Sequence, residues 1–414
     1  MARFKLIFIA VLFAAILQAC GAAATPTQVD QTGTIVAETL QAFTPAATPV
    51  ASPIPSPVAS PSPSNSNLLP RSLYFLNNGN PSGDLQIFRL ERDGKTVHQI
   101  TFEPAAVGNF DISATDGSVV YMSNNQMLLV DANGAGRRVL VDGGAVTNEN
   151  RLTNTVALPT WSPDGKTIAF AHNGLGFYSL DTGAINEVLT NQIDTSQGFP
   201  IVSAIYAPIK YSPDGTKLLI NISYNEAGTM GIYDLGNNTL TKLNRPDGGL
   251  FCCTVAWTPD SAGVYGASPT LGIVDSGLLF ANASSGEVSI LIPGSAPDGT
   301  YNFADAPMVG PDGQLYLFFN NLTEIPTTNR PPLFMVRSAS DGVTDRTQLR
   351  PDALKDANEI LWAPDASFAI VAYPPAAGAY GGGVPYIEYP DGRTVSLGTD
   401  FAMLMKWGAP PVTP

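Results

Sequence analysis

Trp161-Ser-Pro-Asp-Gly-Lys-Thr-Ile-Ala-Phe170 decides the fold, because the chain repeats it. Near-copies stand at Tyr211-Ser-Pro-Asp-Gly-Thr-Lys-Leu-Leu-Ile220 and Trp257-Thr-Pro-Asp260. Weaker ones stand at Ser113-Ala-Thr-Asp-Gly117, Val309-Gly-Pro-Asp-Gly-Gln-Leu-Tyr-Leu-Phe318 and Trp362-Ala-Pro-Asp365. Each reads as strand, tight turn, strand. Proline presets φ near −65°, aspartate bonds neighbouring backbone N–H groups, and glycine accepts positive φ. The run Thr167-Ile168-Ala169-Phe170 suits a buried strand. A second hairpin follows in each unit, as in Gly176–Gly183 followed by Ile185–Thr190. Each unit therefore carries four strands.

Equivalent aspartates, from Asp116 through Asp164, Asp214, Asp260 and Asp312 to Asp365, lie 48, 50, 46, 52 and 53 residues apart. Four-stranded units at that period are propeller blades. Residues 72–101 supply only three strands, Leu73–Leu76, Leu85–Leu90 and Val97–Thr101. The missing inner strand is expected from Asp400-Phe-Ala-Met-Leu-Met-Lys-Trp407, with Trp407 standing 45 residues after Trp362. The C-terminus then completes the first blade and removes two sheet edges at once. The expected fold is an all-β propeller of four-stranded antiparallel blades. The count is seven, or six or eight if a weak unit is misread.

The repeat resembles the WD-like blades of TolB-type β-propellers, which share the Trp-Ser-Pro-Asp-Gly-Lys turn and a later aspartate-glycine turn. The resemblance covers about residues 72–408 and is specific for fold. Such blades serve as docking platforms, as companions to hydrolase domains and as stand-alone receptors. Their motif residues are structural, so the resemblance carries no catalytic residue across.

Upstream, Met1-Ala-Arg-Phe-Lys5 is a positive head before an apolar stretch, Leu6 to Ile16, too short to span a bilayer. Residues 1–19 therefore read as a signal peptide. Leu17-Gln18-Ala19-Cys20 resembles the lipobox of bacterial lipoproteins, which implies cleavage before Cys20 and acylation of its thiol. The alternative is an ordinary signal peptide with a stray cysteine. Two acyl chains, at about 0.8 kcal/mol per buried CH₂, would anchor the chain stably. Residues 20–71 read as a tether. No charge falls between Thr39 and Pro70, and Pro45 to Pro70 holds eight prolines and six serines. That composition buries too little apolar surface to offset chain entropy. At ~3.1 Å per residue it would reach at most roughly 150 Å. The propeller is expected over residues 72–408, with a short tail at 409–414. The localisation that follows is export, with lipid anchoring on the outer side of the cytoplasmic membrane or in a bacterial cell envelope.

A net charge of −14 with 21 basic residues makes nucleic acid and anionic lipid surfaces poor partners, so membrane contact is expected through the anchor alone. The long loops fall on one face: Gly143–Thr155, Asn191–Ile201, Arg245–Phe251, Pro293–Tyr301 and Asn320–Pro332. That rim is the expected functional face, although loop drift costs little and would look the same.

Aligning the inner strands on Trp161 puts Asn109, Ala157, Ala207, Cys253, Asp305, Asn358 and Met403 at one level, with Glu359 and Asp400 nearby. This partly polar ring is a candidate for a cation such as Ca²⁺ or simply for channel water. No resident cofactor is otherwise expected. Cys252-Cys253 reads either as a vicinal disulfide, strained across a trans peptide, or as two free thiols entering a strand. Tyr373, Tyr380 and Tyr386 flank a glycine-rich insertion and offer stacking surfaces on a lid or an unstructured loop.

Enzyme signatures are missing. His98 and His172 fall in different blades, and no Gly-x-Ser-x-Gly elbow precedes a histidine. The leading functional reading is a non-catalytic binding or scaffold module for an envelope protein. A glycan- or peptidoglycan-binding module is the alternative. A carboxylate-based glycosidase or lyase is the third, since paired acids leave no motif.

Overall fold

The computed structural model describes residues 67–78, 83–196, 198–225, 227–271, 275–326, 330–376 and 379–411. The leader, Cys20 and the tether up to residue 66 lie outside the described residues. Among those described, no helix is long and apolar enough to cross a membrane.

Among the described residues, twenty-nine strands form seven antiparallel sheets. Blade one holds β1 (Leu73–Asn78), β2 (Leu85–Leu90) and β3 (Val97–Gln99), and takes β29 (Met403–Trp407) as its inner strand. Blade two is β4 (Val107–Ile112), β5 (Val119–Ser123), β6 (Gln126–Val130) and β7 (Arg138–Asp142). A one-turn helix α1 (Arg151–Asn154) leads to blade three: β8 (Ala157–Trp161), β9 (Thr167–Ala171), β10 (Gly174–Ser179) and β11 (Ile185–Thr190). Blade four is β13 (Ile201–Tyr211), β14 (Lys217–Ser223), β15 (Gly228–Asp234) and β16 (Thr239–Lys242). Blade five is β17 (Thr254–Trp257), β18 (Gly263–Ser268), β19 (Gly277–Asn282) and β20 (Val288–Pro293). Blade six is β21 (Tyr301–Val309), β22 (Leu315–Leu322), β23 (Phe334–Ser338) and β24 (Thr347–Gln348). Blade seven is β25 (Glu359–Trp362), β26 (Ala369–Tyr373), β27 (Val384–Glu388) and β28 (Thr394–Ser396). The protein is a seven-bladed β-propeller closed by its C-terminal strand.

The core follows from strand periodicity. Leu73-Tyr-Phe-Leu76 is buried at every position, because alternate side chains serve two different interfaces. Leu73 and Phe75 pack towards blade seven, and Tyr74 and Leu76 towards blade two. Seven apolar clusters result, one in each gap between neighbouring blades. Each fully buried Leu, Ile or Phe contributes about 1.5–3 kcal/mol to holding the ring together.

The repeated turns do what their residues dictate. In the turn of blade three, Asp164 accepts the Ser162 hydroxyl at 2.6 Å and the Lys166 N–H at 3.1 Å. Gly165 sits at φ 69°. The degenerate copies keep that backbone without glycine, with Ser261 at φ 59° and Ala366 at φ 62°.

Three local features depart from the sequence reading. Leu69, assigned to the tether, is 1% exposed and packs in the blade-one core, so ordered packing starts before residue 72. The Asn191–Ile201 loop is partly a strand, β12 (Gln192–Asp194), which pairs with the start of β13 and gives blade four a fifth strand. Asn320, placed at the start of a loop, lies within β22, so that connection begins later.

Candidate functional site

Chain direction fixes which loops share a face. Inner strands run from the long-loop face to the Pro-Asp-Gly turns, so outer-to-inner connections and second-to-third connections gather on the long-loop face. Among the described residues, ten large apolar side chains are exposed. Seven belong to that face or to the upper channel wall: Phe102, Val146, Leu158, Phe199, Ile325, Tyr380 and Leu404. Phe102, Phe199 and Tyr380 are the most open, at 77%, 61% and 83%. Leu158 and Leu404 reach the channel mouth because their inner strands are bulged there, with left-handed backbone at φ 54° and 53°.

A cavity of about 700 Å³ opens on this face over blades five, six and seven. Its walls include Pro269, Pro326, Pro331, Pro374, Pro375 and the ring of Phe303, with Tyr380 at the edge. Arg330, Lys355 and Asp356 are its charged lining. The wall from blade seven is fastened. Asn358 Nδ2 donates to Ala379 O at 3.0 Å and Gly382 O at 2.8 Å, and Gly383 and Ala402 exchange backbone bonds at 2.9 and 2.8 Å.

The polar ring expected at the channel mouth is mostly occupied by the protein itself. Asp305 is buried, and its Oδ1 accepts the Thr254 hydroxyl at 2.9 Å and the Ala306 N–H at 2.7 Å. Burial pushes its carboxyl up, against those two donors and Arg330. Glu359 accepts the N–H groups of Met405 at 2.8 Å and Leu404 at 3.0 Å. Burial raises it too, against those N–H groups, Arg330 and Lys406. Asn358 is the loop anchor described above. Asn109 is half-buried at the ring level, and Asp400 is exposed in the connection before β29. No group of three His, Cys, Asp or Glu side chains is arranged to hold a metal ion among the described residues.

Deeper in the channel, Lys406 Nζ meets Asp111 Oδ1 at 2.8 Å, while Asp111 Oδ2 accepts the Trp161 N–H at 2.7 Å. Lys210 is open to channel solvent yet enclosed by the walls. That enclosure and the nearby Lys406 push its ammonium down, against Asp111.

Cys252 and Cys253 are joined in a disulfide across a cis peptide, Cα to Cα 3.2 Å, which replaces the trans geometry expected from sequence. Cys253 is exposed where the chain enters β17.

The three tyrosines do not form one platform. The rings of Tyr373 and Tyr386 meet edge-on at 5.9 Å, and the Tyr373 hydroxyl donates to Glu388 at 2.9 Å. Tyr373 reaches the cavity from that anchored position, Tyr380 stands open at its edge, and Tyr386 is not part of its lining. Sequence reasoning missed Arg330 and Lys355. No motif marks them, and only the meeting of loops from three blades brings them together.

His98 lies on the outer strand β3, with Nε2 3.7 Å from Glu91 Oε1. His172 forms the turn between β9 and β10, where its N–H bonds Gly174 O.

No protein-family model and no curated protein sequence matches the chain. Its likenesses are to solved structures. TolB from Acinetobacter baumannii is 12% identical over 81% of this chain and 82% of that one, with a TM-score of 0.40. An oligogalacturonate lyase in complex with manganese is 14% identical over 79% and 85%, with a TM-score of 0.50. A puromycin hydrolase mutant complexed with PGG is 11% identical over 81% of this chain and 53% of that one, with a TM-score of 0.54. Identities this low show the propeller fold alone.

Proposed function

We propose that this chain is an exported, lipid-anchored propeller whose long-loop face docks another envelope protein. One observation carries the reading: among the described residues, seven of the ten exposed large apolar side chains gather on that face and the channel mouth. Scattered exposed apolars need no explanation, whereas a concentration on one rim marks an interaction surface. Acylated Cys20 would hold the head at a membrane, and the proline-rich tether would let the rim reach its partner.

The test is cross-linking in intact cells, with the full chain as bait and mass spectrometry as readout. One envelope protein should be recovered by the native chain and lost with a Phe102→Ser, Phe199→Ser, Tyr380→Ser variant. Recovery of the same proteins by both baits would remove the rim from the interaction. Metabolic labelling with a fatty acid, lost in Cys20→Ser, tests the anchor.

A second reading, carboxylate chemistry on a glycan, rests on Asp305 and Glu359. These acids of neighbouring blades are both raised by burial and both near Arg330. It requires turnover of an acidic polysaccharide by the purified protein, lost in Asp305→Asn. A native protein without turnover excludes it for that substrate.

A further inference from the structure

The charged side chains that line the cavity over blades five to seven sum to a sign opposite to that of the molecule. The chain carries a net charge of −14, yet the cavity's charged lining is two cations and one carboxylate. Neither Arg330 nor Lys355 makes a hydrogen bond or ion pair among the described residues, and Arg330 is half-buried. Lys355 is exposed, so both cations keep N–H groups open to a ligand entering the cavity. A guanidinium binds a carboxylate through two parallel hydrogen bonds. Asp305 and Glu359 lower the potential around Arg330 without bonding it; Glu359 spends both oxygens on Leu404 and Met405, and Asp305 spends Oδ1 on Thr254 and Ala306.

The rest of the wall says what bears the carboxylate. Five prolines, Leu271 and Ile325 give the wall apolar patches among polar surface of similar extent, and Asn358, a polar lining residue, already spends its amide N–H groups on the loop. A sugar presents hydroxyls all round and needs many directed polar partners. An apolar side chain beside an acid needs an apolar patch and one or two cations, which this mixed wall offers. Tyr380, 83% exposed at the cavity edge, adds a face for stacking. The surrounding negative charge repels a broadly acidic surface, so the site selects a short acidic segment over an acidic domain.

We infer that this cavity binds a peptide segment in which an Asp, a Glu or a terminal carboxylate lies next to an aromatic or large aliphatic residue. Arg330 and Lys355 take the carboxylate, and the proline-lined wall takes the apolar side chain. The inference rests on the protein-docking reading and gives that rim its specificity.

The experiment is selection of a randomised peptide library, displayed with free and with amidated C-termini, on the full chain. Arg330→Gln, Lys355→Gln and Tyr380→Ser serve as parallel baits. All three side chains are on surface loops, and unchanged thermal unfolding of each variant checks that the fold is intact. Enriched peptides should share an acid adjacent to an apolar residue. Replacing that acid by its amide should weaken binding about 10-fold or more to the native chain and less than about 2-fold to Arg330→Gln. A trimer of galacturonate should not displace the selected peptides. Enrichment without an acid, equal enrichment on Arg330→Gln, displacement by the sugar acid, or no enrichment at all would each overturn the assignment. Loss of the cross-linked partner in the Phe102 and Phe199 variants, with no peptide selected, would leave rim docking standing and remove this cavity from it.

Discussion

Glu359 on β25 grips Met405 on β29: its Oε1 accepts the Met405 N–H at 2.8 Å, while Oε2 accepts that of Leu404 at 3.0 Å. The last blade thereby holds the strand that closes the first. Both N–H groups lie at the bulge of β29, where no sheet partner is in register to accept them. Glu359→Gln keeps one acceptor and turns an NH₂ group towards the other N–H. With the oxygen kept on Met405, the bond lost is the solvent-exposed one to Leu404, a loss of about 0.5–1.5 kcal/mol. Urea unfolding should show that loss with an unchanged slope. An unchanged midpoint would mean that water replaces the lost acceptor.

Asp305 should behave in the opposite way. Both of its donors converge on Oδ1, which Asn supplies equally well. Because burial raises this carboxyl above its unfolded value, the native state binds the proton more tightly than the unfolded chain. The wild type should therefore be favoured below the unfolded pKa, near 4, and lose stability as pH rises through the native value. Asp305→Asn should flatten that slope and match or exceed the wild type at pH 7. Thermal unfolding of both proteins from pH 4 to 8 decides it, and parallel curves would refute the assignment.

The fold was legible because its determinants are local and repeated. Each Pro-Asp-Gly turn states its own geometry, and runs such as Leu73-Tyr-Phe-Leu76 announce strands buried on both faces. The closing strand was legible through a deficit, three strands where four were needed. The site was not, because it has no repeat. Asn109, Asp305 and Asn358 were grouped by level along their strands, but level does not reveal which way a bulged strand aims a side chain. Asp305 and Asn358 spend their polar groups on the scaffold. Arg330 and Lys355 carry the cavity's free positive charge from loops whose meeting no spacing predicts.

The tryptophans of the repeat offer a controlled comparison. Trp257 Nε1 donates to Lys210 O at 3.1 Å, and Trp362 Nε1 to Ala306 O at 2.7 Å, each strapping a blade to its predecessor. Trp161 is equally buried, but its Nε1 has no partner among the described residues. Trp→Phe removes similar apolar contact at each site. At Trp362 it also strips the Ala306 carbonyl of its donor, whereas at Trp161 it removes an unmet N–H. Trp362→Phe should cost about 1–3 kcal/mol more than Trp161→Phe. Equal losses in denaturant titrations would show that the indole straps add nothing to packing.

Arg350 and Glu388 form a further interblade clamp, on the outer side of the gap between blades six and seven. Arg350 Nη1 lies 3.1 Å from Glu388 Oε2, and the two side chains are 4% and 3% exposed. Glu388 also accepts the hydroxyls of Tyr373 at 2.9 Å and Thr394 at 2.6 Å, and Arg350 donates to the carbonyls of Tyr389 and Arg393. Removing one partner strands the other charge in a site with little water. Arg350→Met should therefore lower stability by about 3–5 kcal/mol. Adding Glu388→Gln neutralises the stranded carboxylate and should recover part of the loss, because the amide oxygen still accepts a hydroxyl. A double-mutant cycle in urea measures the coupling. If the two losses simply add, the pair acts through its separate bonds to loops and hydroxyls, not as a charge pair.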